Sequence, residues 1–286
     1  MTFRTRFAPS PTGPLHLGHA YSALLAFDMA RAENGTFLLR IEDIDQSRSR
    51  QHWVDQIYTD LRWLGIEWPE PVFYQSRRIN TYVAGLEKLR NLGVVYPCVC
   101  SRRDIQAAAS APQEGTPLAY GPDGLIYPGT CRISPPQDYD PAAVAYRLDM
   151  EKTLERLEVL PRFSETGRGT PIEHVLDRTL AKSGIGDIVL ARRDMGTSYH
   201  LSVVLDDAAQ RISHIVRGED LFHATYIHVI LQVLLGLPTP VYHHHRLIRD
   251  AEGKRLAKRD DARAISKYRD DGFSPAGIRE TLGLAP

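Results

Sequence analysis

Cysteine is nearly absent from this chain, with three in 286 residues. An odd, low count excludes the paired disulfide framework of small secreted domains. It suits a reducing compartment, and a cytoplasmic location is expected. Net charge is absent too, because Lys+Arg and Asp+Glu each total 35. A neutral chain has no global field drawing it to nucleic acid or membrane, so any such partner must meet a local patch. No run of about 18 apolar residues occurs, which leaves no transmembrane helix and no expected membrane partner. The N-terminal MTFRTRFAPS lacks the apolar core of a signal peptide. There is no internal repeat and no low-complexity tail.

What is present reads as an α/β chain, long enough for one large domain or two modest ones. TFRTRFA alternates as a short strand and PSPTGP is a turn-rich loop. A helix is predicted from about Leu15 to Glu33, with Leu17, Tyr21, Leu24, Leu25 and Asp28 on one stripe and Asn34-Gly35 as its stop. TFLLRIE is the apolar run of a strand covered on both faces. Two strands joined by a helix imply a parallel pair with a right-handed crossover. Amphipathic helices are predicted at roughly 48–64 and 79–92. Residues 107–124, rich in Ala, Pro and Gly, read as a loop or insertion. AVAYRLD, GDIVLAR, SYHLSVVLDD and ISHIVRGEDL read as strands, the last running into a loop, and Asp206-Asp207 as a strand end. HATYIHVILQVLLGL reads as a core helix stopped by Gly236 and Pro238, followed by a strand near Val241.

Three clusters carry chemistry. The first is FAPSPTGPLHLGHA, which brings His16 and His19 to the start of a helix just after the first strand. In open parallel sheets, ligands bind at the carboxyl ends of strands. A helix start offers free N–H groups and partial positive charge to phosphate, and two imidazoles could add donors. The bland alternative is a helix cap and a surface residue. A metal pair lacks a third ligand nearby. Glu42-Asp43 takes the matching position after the second strand. The second cluster runs from Lys254 to Arg259, inside a stretch, 246–269, with nine Lys/Arg and four Asp/Glu. It is either a solvated charged loop or one that swings a lysine onto a polyphosphate. The third is Cys98 and Cys100 with Cys131. Three thiolates suit zinc, with an oxygen of Tyr120 or Tyr127 as fourth ligand; three ordinary thiols are the alternative. His243, His244 and His245 alternate faces along a strand and do not converge on an ion.

In this order the clusters resemble the class I aminoacyl-tRNA synthetases, specifically the glutamyl branch. HLGH at 16–19 is similar to their HIGH signature and RLAKR at 255–259 to their KMSKS loop. RFAPSPTGPLHLGHA, LLRIEDID, SYHLSVVLDD and RGEDL resemble glutamyl-type sequences, and the likeness runs from Arg4 to Ala262. Full glutamyl-tRNA synthetases continue into a long helical anticodon-binding region. This chain ends soon after Lys258, which points to the glutamyl-Q tRNA(Asp) synthetase family. The Cys-x-Cys … Tyr-x3-Cys pattern resembles that family as well, and selects Tyr127 over Tyr120.

The resemblance implies a Rossmann-type parallel-sheet catalytic domain. Its first half would be residues 1–95, with a zinc-bearing insertion at 96–140. An acceptor-side insertion and the second half would fill 141–245, and 246–286 would hold the KMSKS-like loop and a short helical end without an anticodon-binding domain. It implies ATP-dependent activation of L-glutamate, with Mg²⁺, followed by transfer to queuosine in the anticodon of tRNA(Asp). Glutamate would be bound by the segment Arg6, Phe7, Ala8, Pro9 and Ser10 together with Glu42, Tyr199 and Arg217. His16, His19 and Lys258 would contact ATP and act in catalysis. Cys98, Cys100, Tyr127 and Cys131 would hold one structural Zn²⁺. Arg255 in place of the signature's first lysine keeps its charge, while Ala257 in place of serine loses a hydroxyl donor. A monomer is expected. The competing readings are a shortened synthetase charging tRNA(Glu), an adenylating enzyme that never meets RNA, and a catalytically inactive binding module.

Overall fold

A β-α-β unit opens the chain. In the computed structural model, which describes residues 2–110, 118–249 and 263–285, this unit is β1 (Arg4–Phe7), α1 (Leu17–Ala32) and β2 (Thr36–Ile41). The two strands are parallel, with Arg6 opposite Leu38. Asn34 ends α1 in the left-handed region, at φ 48°. Gly35 serves closeness instead, because a Cβ there would lie 2.3 Å from the Phe3 carbonyl oxygen. The buried face of α1 runs through Leu17, Ala20, Ala23, Leu24, Ala26 and Ala30. It departs from the predicted stripe, whose Tyr21, Leu25 and Asp28 are half-buried. The alanines let the helix lie close against β1 and β2, and Thr5 donates to the Ala26 carbonyl at 2.7 Å.

Next come α2 (Gln51–Trp63), β3 (Phe73–Tyr74) and α3 (Ile79–Asn91), both helices as predicted. β3 pairs in parallel with β2. The chain then builds a smaller layer from β4 (Val95–Cys98), α4 (Arg102–Ser110), β5 (Tyr120–Gly121), β6 (Gly124–Leu125), α5 (Thr130–Ile133) and β7 (Ala145–Leu148). After α6 (Met150–Arg156), β8 (Arg162–Glu165) and β9 (Ile172–Val175), β10 (Val189–Ala191) returns to that layer. β4 and β10 flank β7, all antiparallel, while β5 and β6 form a hairpin.

The remainder is α7 (Tyr199–Ala209), β11 (His214–Gly218), α8 (Ala224–Leu235), β12 (Val241–His245), α9 (Ile265–Asp270) and α10 (Pro275–Leu282). SYHLSVVLDD is therefore a helix, not the predicted strand. Its start is capped by Ser198, whose Oγ accepts from the Leu201 N–H at 3.4 Å. Seven of its residues, from His200 to Asp207, are buried, so no polar face exists to reveal a 3.6-residue period.

β11 and β12 are parallel, and β8 and β9 extend that sheet. β11 lies beside β1, because the Ser213 N–H donates to the Arg4 carbonyl at 3.1 Å and the Arg4 N–H to Ser213 Oγ at 2.7 Å. The chain thus runs from β1 to β2 and β3 on one side and returns to β11 and β12 on the other. Strand order reverses between β1 and β11, where a doubly wound sheet opens its ligand crevice. The α10 residues Ile278 and Leu282 join the core under the first half, while α7, α8 and β12 share a second core with the smaller layer. No described helix is long and apolar enough to cross a membrane.

Candidate functional site

A cavity of about 370 Å³ opens where β1, β2 and β11 end. Arg6, Phe7 and Ala8 line it from β1, Glu42 from β2, Arg217 and Gly218 from β11, Tyr199 from α7, and His16 and His19 from α1. It shares Phe7, Ala8, His19, Glu42 and Tyr199 with a groove of about 1570 Å³ that adds Pro9 and Ser10 and reaches Cys100 and Tyr127. The residues expected to bind glutamate are thus brought together from three strand ends and the start of α7, and the two histidines border the same space. Lys258, Arg255 and Ala257 lie outside the described residues. The described chain on either side borders the cavity: Leu247 and Ile248 line it, and Ala264 bridges His16, with the Ile265 N–H on the Leu15 carbonyl at 2.8 Å.

His16 and His19 fulfil the capping alternative and line the cavity as well. His16 Nδ1 accepts from the Gly18 N–H at 3.1 Å, and His19 Nδ1 accepts from the His16 N–H at 3.2 Å. Two of the helix's orphan donors are satisfied reciprocally. Because both Nδ1 atoms accept, a neutral ring carries its proton on Nε2 and presents a donor there. The rings stand 3.7 Å apart at the N-terminus of α1.

Below the cavity lies a buried ion network. Arg40 on β2 and Glu42 just beyond its end, two residues apart, share a face with Arg6 of β1, and that face is covered by α7. Arg6 makes a two-point contact with Asp207, Nε to Oδ1 at 3.0 Å and Nη2 to Oδ2 at 3.3 Å. Arg40 donates to Asp207 and Gln210, each at 2.8 Å, and to Glu42 at 3.1 Å. Asp206 accepts from Arg78 at 2.7 Å, Tyr82 at 2.8 Å and Gln75 at 3.0 Å. Burial opposes the charge of Asp207, yet Arg6 and Arg40 hold its pKa below the usual carboxylate value. Burial wins at Glu42, whose pKa is raised despite Arg40 and Arg6.

Arg217 is held differently. Its Nε donates to His244 Nε2 at 3.2 Å, its Nη1 to His228 Nδ1 at 3.0 Å and its Nη2 to Thr225 Oγ1 at 2.6 Å. In-register pairing of β11 with β12 sets Arg217 beside His244. The other nitrogen of His244 contacts Glu165, which also accepts the His244 backbone N–H at 3.0 Å. Burial opposes ionisation of Glu165, but bonds from His244 and from the Gly167 N–H bring its pKa down to about 2. Burial lowers the pKa of His244, and burial and Arg217 lower that of His228; His244 Nε2 and His228 Nδ1 each accept from the guanidinium, so both rings are in neutral form there. Arg217 is 5% exposed and contacts neutral groups, with no carboxylate within salt-bridge distance among the described residues.

The cysteines form a separate cluster. The sulfurs of Cys98, Cys100 and Cys131 lie within 4.8 Å of one another, all unbridged, with Cys100 and Cys131 3.4 Å apart. Tyr127 Oη is 3.3 Å from the Cys100 sulfur and 3.5 Å from that of Cys98. Metal–sulfur bonds of about 2.3 Å in a tetrahedron separate the sulfurs by about 3.8 Å, so three thiols and one phenol oxygen fit a single ion. Tyr120, the other oxygen considered, is 70% exposed. Burial pushes the Cys100 thiol up to about 11, so a bound cation is what would make it a thiolate.

Sequence reasoning missed Asp206 and Asp207 as the buried partners of Arg6 and Arg40, and missed His200, His228, Thr225, His244 and Glu165. One signal was available. The arginine within LLRI sits in an apolar run, and a buried arginine requires a carboxylate somewhere in the chain.

Comparisons with known proteins give the family and the fold. Residues 2–119 and 165–285 match the family model of tRNA synthetases class I (E and Q), catalytic domain. A glutamyl-Q tRNA(Asp) synthetase of Rhodobacter capsulatus is 60% identical over 284 residues, spanning 98% of this chain and 99% of that protein. One of Nocardia farcinica is 40% identical, spanning 98% of this chain and 85% of that protein. Among solved structures, a glutamate tRNA ligase from Elizabethkingia meningosepticum in complex with its amino acid aligns with a TM-score of 0.76 and 27% identity. That alignment covers 96% of this chain and 59% of the ligase, so the chain spans about three fifths of its length. A Mycobacterium tuberculosis methionyl-tRNA synthetase bound by methionyl-adenylate shares the fold, with a TM-score of 0.62 at 11% identity.

Two stability predictions follow from the charges. Arg40→Ala leaves Asp207 and Asp206 with less compensation in a buried site, and should cost about 3–5 kcal/mol in urea unfolding. The second concerns pH. Burial lowers the pKa values of His214, His228, His243, His244 and His245. Their stabilisation is complete above the ordinary histidine value of about 6.5 and is lost as pH falls through the lowered values. Glu42 and Asp60, raised by burial, act in the opposite sense but are outnumbered. The urea midpoint should be lower at pH 5.5 than at pH 7.5.

Proposed function

The chain belongs to the glutamyl-Q tRNA(Asp) synthetases, within the class I tRNA synthetases of the glutamate and glutamine type, and on that premise we propose that it activates L-glutamate with ATP and transfers it to queuosine in tRNA(Asp). The observation that carries this reading is the state of Arg217. A buried guanidinium whose hydrogen-bond partners among the described residues are all neutral, lining a cavity, is set to receive an anion. Arg6 is already paired with Asp207, so Arg217 is the arginine that takes a substrate carboxylate. Glu42, raised by burial, gains a partner when the substrate ammonium arrives beside it. Tyr199 adds a ring wall and a hydroxyl.

In the first step a glutamate carboxylate oxygen attacks the α-phosphorus of ATP. A P–O bond forms, the bond to the β-phosphate bridge breaks, and pyrophosphate leaves. Positioning and charge stabilisation make up most of the catalysis. The Nε2–H donors of His16 and His19, at the N-terminus of α1, would bind phosphate oxygens, and Lys258 would neutralise the polyphosphate together with Mg²⁺. In the second step a hydroxyl of queuosine attacks the adenylate carbonyl and AMP leaves. The groove from the cavity towards Cys100 and Tyr127 supports entry of the acceptor base from the side of the insertion. Residues 96–140 are then the zinc-bearing insertion between 1–95 and 141–245, with the loop and short helical end at 246–286. Cys98, Cys100, Tyr127 and Cys131 would hold a structural zinc ion that supplies folding energy to that insertion. Three unbridged thiols support a reducing cytoplasm.

Labelled glutamate and ATP, supplied with tRNA(Asp) with and without queuosine and with tRNA(Glu), test the function. Label should appear on queuosine-containing tRNA(Asp) alone; label on tRNA(Glu) would favour a shortened ordinary synthetase. Metal analysis should find about one zinc per chain. Cys131→Ser should lose most of that zinc and lower the melting temperature.

A further inference from the structure

Resting on the glutamate reading above, we propose that Asp123 is a positioning residue for the substrate: through His200 and His228 it holds the Arg217 guanidinium in the orientation that receives the glutamate carboxylate. Four elements contribute to this chain of hydrogen bonds. Asp123 sits in the turn between β5 and β6, His200 on α7, His228 on α8 and Arg217 on β11. Arg217 Nη1 is 3.0 Å from His228 Nδ1, His228 Nε2 is 3.1 Å from His200 Nδ1, and His200 Nε2 is 3.2 Å from Asp123 Oδ1. The second carboxylate oxygen accepts the Val189 N–H at 3.3 Å.

The two ends of the chain fix its direction. A guanidinium can only donate, so His228 Nδ1 must accept. A neutral His228 then carries its proton on Nε2 and gives it to His200 Nδ1. His200 in turn carries its proton on Nε2 and gives it to Asp123, which as a carboxylate can only accept. One arrangement of protons satisfies every atom. Reversing either ring would set two donors face to face inside the protein, where an unsatisfied polar pair is costly. Partial desolvation at the groove rim favours protonation of Asp123, yet the bond from His200 keeps its pKa below the usual carboxylate value, so the accepting end persists. Without Asp123 only the Arg217 end orders the ring protons, His200 Nε2–H loses its charged acceptor, and the arrangement in which His228 donates from Nδ1 and pushes the guanidinium away is less disfavoured. The carboxylate lies at the rim of the groove, on the hairpin that leads to Tyr127. The order of the insertion is thereby transmitted to the amino-acid cavity.

Glutamate-dependent ATP–pyrophosphate exchange by the full chain tests this. Asp123→Ala should raise KM for glutamate about tenfold, the scale of one charge-assisted hydrogen bond, and leave KM for ATP unchanged. Asp123→Asn keeps an acceptor for His200 and should recover most of that loss. The Asp123→Ala/His200→Ala pair should be no worse than His200→Ala alone, because both act through one chain. Nitrogen-15 NMR of labelled histidine should find His200 and His228 neutral, with their protons on Nε2, and His200 redistributed in Asp123→Ala. An unchanged KM for glutamate, equal rises in both KM values, additive effects, or an Nδ1 proton on either ring would overturn the positioning role alone. Absence of exchange in the unmodified protein would overturn the glutamate reading and this inference with it.

Discussion

Two adjacent carboxylates, Asp206 and Asp207, are buried in the last turn of α7, and the site above them depends on how they are neutralised. Like charges side by side in a protein interior repel and are poorly solvated, so they persist only with cations delivered at short range. Arg6 comes from β1, Arg40 from β2 and Arg78 from the start of α3. Each pair that forms also fixes a distance between secondary elements. Satisfying the carboxylates therefore clamps α7 across the carboxyl ends of the first two parallel strands. The same helix begins with Tyr199 and His200, so the clamp sets one wall of the cavity as a by-product of electrostatic necessity.

That clamp leaves a division of labour among the arginines. Arg6 and Arg40 are spent on Asp207, and burial works against the charge of Arg40 while Asp207, Glu42 and Asp206 keep it protonated. Arg217 is instead supported by neutral imidazoles and one threonine hydroxyl. Such a shell orients the fork of the guanidinium without cancelling its charge. The neutrality of the shell is itself a product of burial, since His228 and His244 are deep enough that their charged forms are disfavoured. A charged histidine beside Arg217 would repel it. A carboxylate in the same place would compete with the substrate carboxylate proposed to bind there.

The opening β-α-β unit and the core helix that became α8 were legible because their signals are local: alternation, caps and apolar runs bounded by Gly and Pro. The gathering of Arg6, Glu42, Tyr199 and Arg217 came from a family likeness rather than from spacing, and the structure supplies its geometry. SYHLSVVLDD was misread because a helix buried on nearly every side has no polar face, and its Val203 and Val204 favour strands. Ser198, three residues before Leu201, was the overlooked cap. Asp206 looked like a strand end because its partner Arg78 lies far away in sequence, and no periodicity reports such a contact. The three consecutive histidines of β12 alternate faces as expected for a strand. Alternation sends His244 to Arg217 and Glu165 while His243 meets Thr166 and His245 meets Ser22.

The smaller layer gains its meaning from its place beside the groove. A neutral chain must meet a polyanion through local surface, and phosphate contacts are made by arginines that are not already paired. Arg102, Arg103 and Arg193 are exposed and pair with no carboxylate among the described residues. Arg193 instead donates to the backbone carbonyl of Cys100 at 3.2 Å, tying its loop to the cysteine cluster. Arg147 stacks over the Tyr127 ring, 3.9 Å from its centroid, and donates to the Asp187 carbonyl at 2.9 Å. The cluster, the loop around Arg193 and the β5–β6 hairpin are therefore cross-linked, and Asp123 at the hairpin turn reaches His200. On the proposed reading, an acceptor that presses on this layer would act on elements already hydrogen-bonded to Arg217, a mechanical connection between the layer and the proposed amino-acid cavity that distance along the chain conceals.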